Sequence, residues 1–162
     1  MIWIPLADDE TLSEEVIKSL PEAYTVNTEP RYSELTHAQS VAINRNKIFK
    51  RFLHTNESYL KMQDSCVVHN NPDNYLDMVR FLDERPDWGG VALHSGKIIR
   101  GGNLEKNHVR FRCVVIRREA LKGIVLEVPG AGCECYVFSK EIRKRWRYGY
   151  LEVMGGRIST IK

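Results

Sequence analysis

The sequence predicts an α/β domain, a mostly parallel central sheet flanked by helices. Three observations predict it. In the first half, short apolar runs alternate with helical periodicities in the order β-α-β-α-β-α-β, the reading of a parallel sheet joined by crossover helices. Acidic residues fall where predicted strands end, at Asp8-Asp9 and at Asp64. The bulk numbers, 162 residues with 43% hydrophobic and 28% charged, fit one ordinary domain over 1–162. A chain of this length buries roughly 70% of the surface it exposes unfolded, so its core requires neither disulfide nor metal.

Each element has a local cause. Ile2-Trp3-Ile4-Pro5-Leu6 is an apolar run ended by acids, a buried strand. Thr11 and Glu14 have capping-box spacing for a helix through Leu20 with Leu12, Val16 and Ile17 on its apolar stripe, and Ser13 also precedes that pattern. Ala23 to Val26 is a second strand, and Asn27 to Glu34 a polar loop. From His37 to His54 the periodicity is helical, with Val41, Ile43, Ile48, Phe49 and Phe52-Leu53 inward and Arg45, Lys47, Lys50 and Arg51 on the polar side. Tyr59 to Val68 reads as one strand, Asn74 to Glu84 as a helix, and Trp88 to Leu93, Ile98-Ile99 and Phe111 to Ile116 as further strands. A helical turn over Arg118 to Leu121, a helix over Cys133 to Arg145 and short strands at Tyr150 to Val153 and Ile158 to Ile161 complete the chain.

Composition narrows the function. Net charge is +3, from 24 basic and 21 acidic residues, too mild to argue for nucleic acid but compatible with an anionic small ligand. No apolar run approaches the roughly 20 residues of a membrane span. The N-terminal MIWIPLADDE is too short and too acidic for a secretory signal, so a cytoplasmic protein with reduced cysteines is expected. Cys66, Cys133 and Cys135, with His69 nearby, form a candidate soft-metal set whose alternative is small buried thiols. The run Arg143-Lys144-Arg145-Trp146-Arg147 is a candidate contact for nucleic acid or an anionic surface, or a solvated helix end.

Several of these segments, in order, resemble the A-type glycosyltransferases (GT-A) of the inverting, family-2-like kind. Ile2-Trp3-Ile4-Pro5 is similar to that family's first strand. Asn44-Arg45-Asn46 resembles the segment opening its next helix. Tyr59 to Val68, with Asp64-Ser65-Cys66, resembles the strand that ends in Asp-x-Asp, here degenerate. Phe111 to Leu121 resembles a strand and Arg-Arg-x-x-Leu turn, Gly132-Cys133-Glu134-Cys135 the family's Gly-Glu-Asp segment, and Arg147 to Tyr150 its glycine-bearing turn. The similarity spans roughly Ile2 to Val153.

The resemblance implies a nucleotide-diphosphate sugar as donor and an acceptor of unknown kind, whether a sugar, a lipid-linked sugar or a protein. It implies Pro5, Asp8, Asp9, Arg45, Asn46 and Asp64 as substrate-binding residues, and Glu134 as the general base that deprotonates the acceptor hydroxyl. It also implies a divalent ion, manganese or magnesium, at Asp64 and Cys66, neutralising charge on the leaving phosphates. Cys66 stands where the second acid belongs, and a thiol is a poor ligand for a hard cation. Three consequences stay open: Asp64 holding the metal alone, a metal-independent protein, or a binding or assembly protein that has lost catalysis. A nucleic-acid-binding domain is the reading from another class, and a homo-oligomer is compatible with all of them.

Overall fold

The computed structural model describes residues 1–95, 108–151 and 156–161. Its six-stranded sheet has the order β2-β1-β3-β6-β5-β7, from β1 (Ile2–Ala7), β2 (Tyr24–Glu29), β3 (Tyr59–Gln63), β5 (Trp88–Ala92), β6 (Cys113–Arg117) and β7 (Arg147–Tyr150). β1 pairs in parallel with β2 and β3, and β5 with β7. β6 runs antiparallel to both of its neighbours. The sheet is therefore mostly parallel with one reversed strand. A two-stranded antiparallel sheet joins β4 (Val67–His69) to β8 (Ile158–Thr160).

Strand periodicity of two divides the core between the faces. In β6, Val114 and Ile116 face one side with Phe49 and Phe52 of α2 (His37–Leu53) and with Phe138 and Ile142 of α5 (Glu134–Ile142). Cys113 and Val115 face the other side with Met78, Phe81 and Leu82 of α3 (Asn74–Asp83). Gly89 in β5 is needed for close approach, since a Cβ there would lie 2.7 Å from the Trp146 Cβ.

The structure corrects several boundaries. The first helix, α1 (Glu14–Ser19), is capped by Ser13, whose Oγ accepts from Val16 N–H at 3.2 Å; Thr11 lies outside it. β2 runs on to Glu29, because Asn27 to Glu29 pair with Pro5 to Ala7 and the parallel ladder outweighs their polarity. Tyr59 to Val68 is two strands, since the chain turns at Asp64, where Val67 N–H donates to the Asp64 carbonyl. β6 begins at Cys113, leaving Phe111 just ahead of it, and the short helix α4 (Arg118–Leu121) follows it. α5 stops at Ile142, and Arg147 to Tyr150 is strand β7 rather than a turn, because β5 offers it a parallel edge. The basic run thus bridges helix and strand, with Trp146 packed on the core and Lys144 paired to Glu141 at 2.9 Å. The candidate strand Ile98-Ile99 and the end of the strand expected at Tyr150 to Val153 lie outside the described residues.

The end of β3 is held by a buried polar network. His69 Nδ1 accepts from Asn74 Nδ2 at 2.9 Å, so its Nε2–H donates to Gln63 Oε1 at 2.6 Å, and Tyr75 Oη–H donates to the same oxygen at 2.8 Å. Burial pulls the His69 pKa down to about 4, against 6.5 ordinarily. Protonating Nδ1 would also set a proton against the Asn74 amide. Stability from this histidine is complete above pH 6.5 and is lost as pH falls toward 4. Urea unfolding between these pH values is expected to lose about 3 kcal/mol, a loss that His69→Asn flattens.

Candidate functional site

Since β2, β1 and β3 are parallel neighbours, their carboxyl ends share one rim, where open α/β sheets place ligands. A cleft of about 510 Å³ opens there. Its walls come from Pro5 to Ala7 at the end of β1, Glu29 to Tyr32 after β2, and Asp64 to Cys66 after β3; Asn44 and Arg45 of α2 and Glu134 of α5 also contribute.

Arg45 is the centre of its charge. Its side chain is 3% exposed, and Nη2 donates to Asp64 Oδ1 at 2.6 Å and lies 3.8 Å from Glu134 Oε1. The guanidinium stacks over the Phe111 ring, 4.6 Å from its centroid. Its Nε and Nη1 are buried without a hydrogen-bond partner among the described residues. One buried cation therefore joins two carboxylates from distant segments at the cleft, and neither is itself fully buried: Asp64 is 31% and Glu134 17% exposed. Glu134 is the first residue of α5, where the helix dipole favours an anion.

The neighbouring wall is pinned by Asn44, whose Nδ2 donates to the carbonyls of Leu6 at 3.3 Å and Asn27 at 2.9 Å. Asn27 Nδ2 returns a bond to Asn44 Oδ1 at 2.8 Å. Lys47 pairs with Glu29 at 2.8 Å, and Arg31 with Asp9 at 3.0 Å and with Glu10. Burial, then the nearby Asp64 charge, pushes the Cys66 thiol upward, so it stays neutral at physiological pH.

Of the residues singled out in the sequence, Pro5, Arg45, Asp64, Cys66 and Glu134 meet at this cleft. Asp8 is exposed and is not on its wall, and its N–H extends the β1–β2 ladder to the Glu29 carbonyl at 3.0 Å. Asp9 touches the cleft only through Arg31. Asn46 points elsewhere: its side chain donates to the Leu126 carbonyl at 3.0 Å and accepts from Leu126 N–H at 2.8 Å, fastening the loop before α5. Glu10, Glu29, Arg31 and Asn44 line the cleft without having been singled out. Glu29 was hidden by its polar surroundings, whereas Asn44 was legible within Asn44-Arg45-Asn46. The expected soft-metal set also divides, because Cys66 stays in the cleft and His69 is committed to the network below it. Cys133 and Cys135 meet His108 instead.

No family model and no curated protein sequence matches the chain. Solved structures do. A protein from STIV superimposes with a TM-score of 0.63 at 16% identity, over 93% of this chain and 81% of that one. The mannosyltransferase PcManGT from Pyrobaculum calidifontis, solved with GDP-Man and Mn2+, gives 0.64 at 13% identity, over 93% of this chain and 54% of its own. TarS residues 1–349 from S. aureus, solved with UDP-GlcNAc, gives 0.64 at 14%, over 99% of this chain and 58% of its own. The chain thus spans little more than half the length of these two neighbours. Among the described residues, no helix is long and apolar enough to cross a membrane. The fold, a mixed sheet flanked by helices, matches that of solved GT-A glycosyltransferase structures.

Proposed function

We propose that the cleft binds a nucleotide-diphosphate sugar and transfers the sugar to an acceptor hydroxyl. The observation that carries this reading is the convergence of Asp64, Arg45 and Glu134 at the carboxyl rim of the parallel strands. The three come from the turn after β3, from α2 and from α5, and a purely structural ion pair has no need to open onto a cleft.

In this reading Glu134 takes the proton from the acceptor oxygen as that oxygen bonds to the anomeric carbon. The bond from that carbon to the diphosphate breaks, and the phosphate leaves with the electron pair. Arg45 restrains both carboxylates, and its charge offsets theirs beside an anionic donor. Arg45 contacts only one of the two Asp64 oxygens, so the other would be open to a divalent ion. Asp64 would hold such an ion, whose chemistry is to neutralise charge on the departing diphosphate. Cys66, neutral and soft, adds nothing to a hard cation. Restoring the acid with Cys66→Asp is accordingly expected to tighten manganese-dependent nucleotide binding by about tenfold, read by calorimetry.

The test is incubation with a panel of guanosine- and uridine-diphosphate sugars, with and without manganese, following nucleoside-diphosphate release and binding. Turnover of at least one donor is expected. Binding without turnover would turn the reading into that of a binding or assembly protein, and the absence of both would overturn it.

A further inference from the structure

Behind Glu134 lies a second cluster that sugar transfer does not use. His108 Nε2 is 2.8 Å from Cys135 Sγ and 3.3 Å from Cys133 Sγ, and the two sulfurs are 2.7 Å apart. Neither cysteine is in a disulfide. One nitrogen and two sulfur donors therefore converge, all within 4.8 Å of one another. This is a borderline-soft set, suited to zinc rather than to magnesium or manganese.

We propose that His108, Cys133 and Cys135 bind a zinc ion, with a water completing a tetrahedral shell. Zinc bond lengths set donor-to-donor edges of about 3.5–3.8 Å, so the three atoms need to part by about 0.2–1 Å around the ion, most of it between the two sulfurs. Room for this exists on the outer side, because His108 is exposed and Cys133 is only partly buried, while Cys135 is anchored inside.

Two independent features support the site. First, its two arms are fastened by a buried serine. Ser139 Oγ accepts from Val109 N–H at 3.0 Å and donates within α5 to the Cys135 carbonyl at 2.8 Å, holding the residue after His108 against the helix that carries Cys135. Second, the interior beside the cluster holds donors with no acceptor. Arg45 Nε and Nη1 and the Tyr148 hydroxyl are buried and have no hydrogen-bond partner among the described residues. Arg45 lies over Phe111, and Phe111, Phe138 and Tyr148 pack ring against ring in the same core as Cys135. Zinc-bound thiolates bring negative charge to this interior, where a neutral thiol brings none. Because Cys133 and Cys135 bracket Glu134, the ion also fixes the turn that presents Glu134 to the cleft.

The test does not depend on sugar transfer. The protein purified under reducing conditions is expected to carry about one equivalent of zinc by plasma mass spectrometry, falling below about a tenth in Cys133→Ser/Cys135→Ser. Cobalt added to the chelator-treated, reduced protein is expected to give thiolate-to-cobalt charge transfer and tetrahedral visible bands. His108→Ala is expected to shift those bands, which a site lacking the histidine would not show. Circular dichroism checks that each variant is folded. Failure of the folded, reduced wild type to take up either metal would overturn the site. So would full retention of zinc by the double cysteine variant, or a Cys133–Cys135 disulfide that after reduction still takes up no cobalt. Nucleotide binding can succeed or fail separately from any of these results.

Discussion

Glu134→Gln is expected to slow sugar transfer by about 10²–10⁴-fold while nucleotide affinity stays within about threefold. Glutamine keeps the shape and the position at the start of α5, and removes only the ability to accept a proton. Glu134 lies 3.8 Å from Arg45 and is 17% exposed toward the cleft, so the change disturbs little packing. Fold stability is expected to drop by under about 1 kcal/mol, the scale of a weakened helix-end and ion-pair contribution. Single-turnover kinetics with a saturating donor check the rate, and calorimetry checks the affinity. If Glu134 serves only the helix dipole, the rate will hardly move.

Asp64→Asn is expected to act on both stability and binding. Arg45 is almost wholly buried, and Asp64 is its near partner at 2.6 Å. Taking one partner from a fully buried pair costs about 3–5 kcal/mol. Here Asp64 is partly solvated and Glu134 remains 3.8 Å away, so a loss of about 1–3 kcal/mol is expected in urea unfolding. Manganese-dependent nucleotide binding is expected to fall by at least about tenfold, because the neutral amide leaves no hard charged donor after β3. Comparison at pH 7 and 25 °C, below the unfolding transition, separates the two effects. Unchanged nucleotide affinity in the folded variant would remove Asp64 from the ligand site.

The placement of Asp64 was legible because it follows a strand-like run whose direction carries its carboxyl end to the rim, although that run stops at Gln63 instead of continuing to Val68 as expected. Alternation in the first half likewise gave the parallel strands. The reversed β6 was not legible, because Cys113 to Ile116 are buried on both faces and a continuous apolar run carries no direction. Arg45 reads as a polar-face residue in the helical pattern. Its burial depends on two carboxylates, one 19 and one 89 positions away, that local periodicity does not see. Asn46 shows the opposite case, where the right motif supplies a residue that holds a loop. His108 escaped notice because its partners lie 25 and 27 residues further on, across a turn that only the fold brings together.

The rim of the parallel strands is expected to be a diphosphate site. A crystal structure of the protein soaked with GDP or UDP and manganese measures it most directly. The diphosphate is expected in the cleft beside Asp64, with its terminal phosphate turned toward Glu134. A nucleotide seated elsewhere, or an empty cleft at saturating ligand, would contradict it.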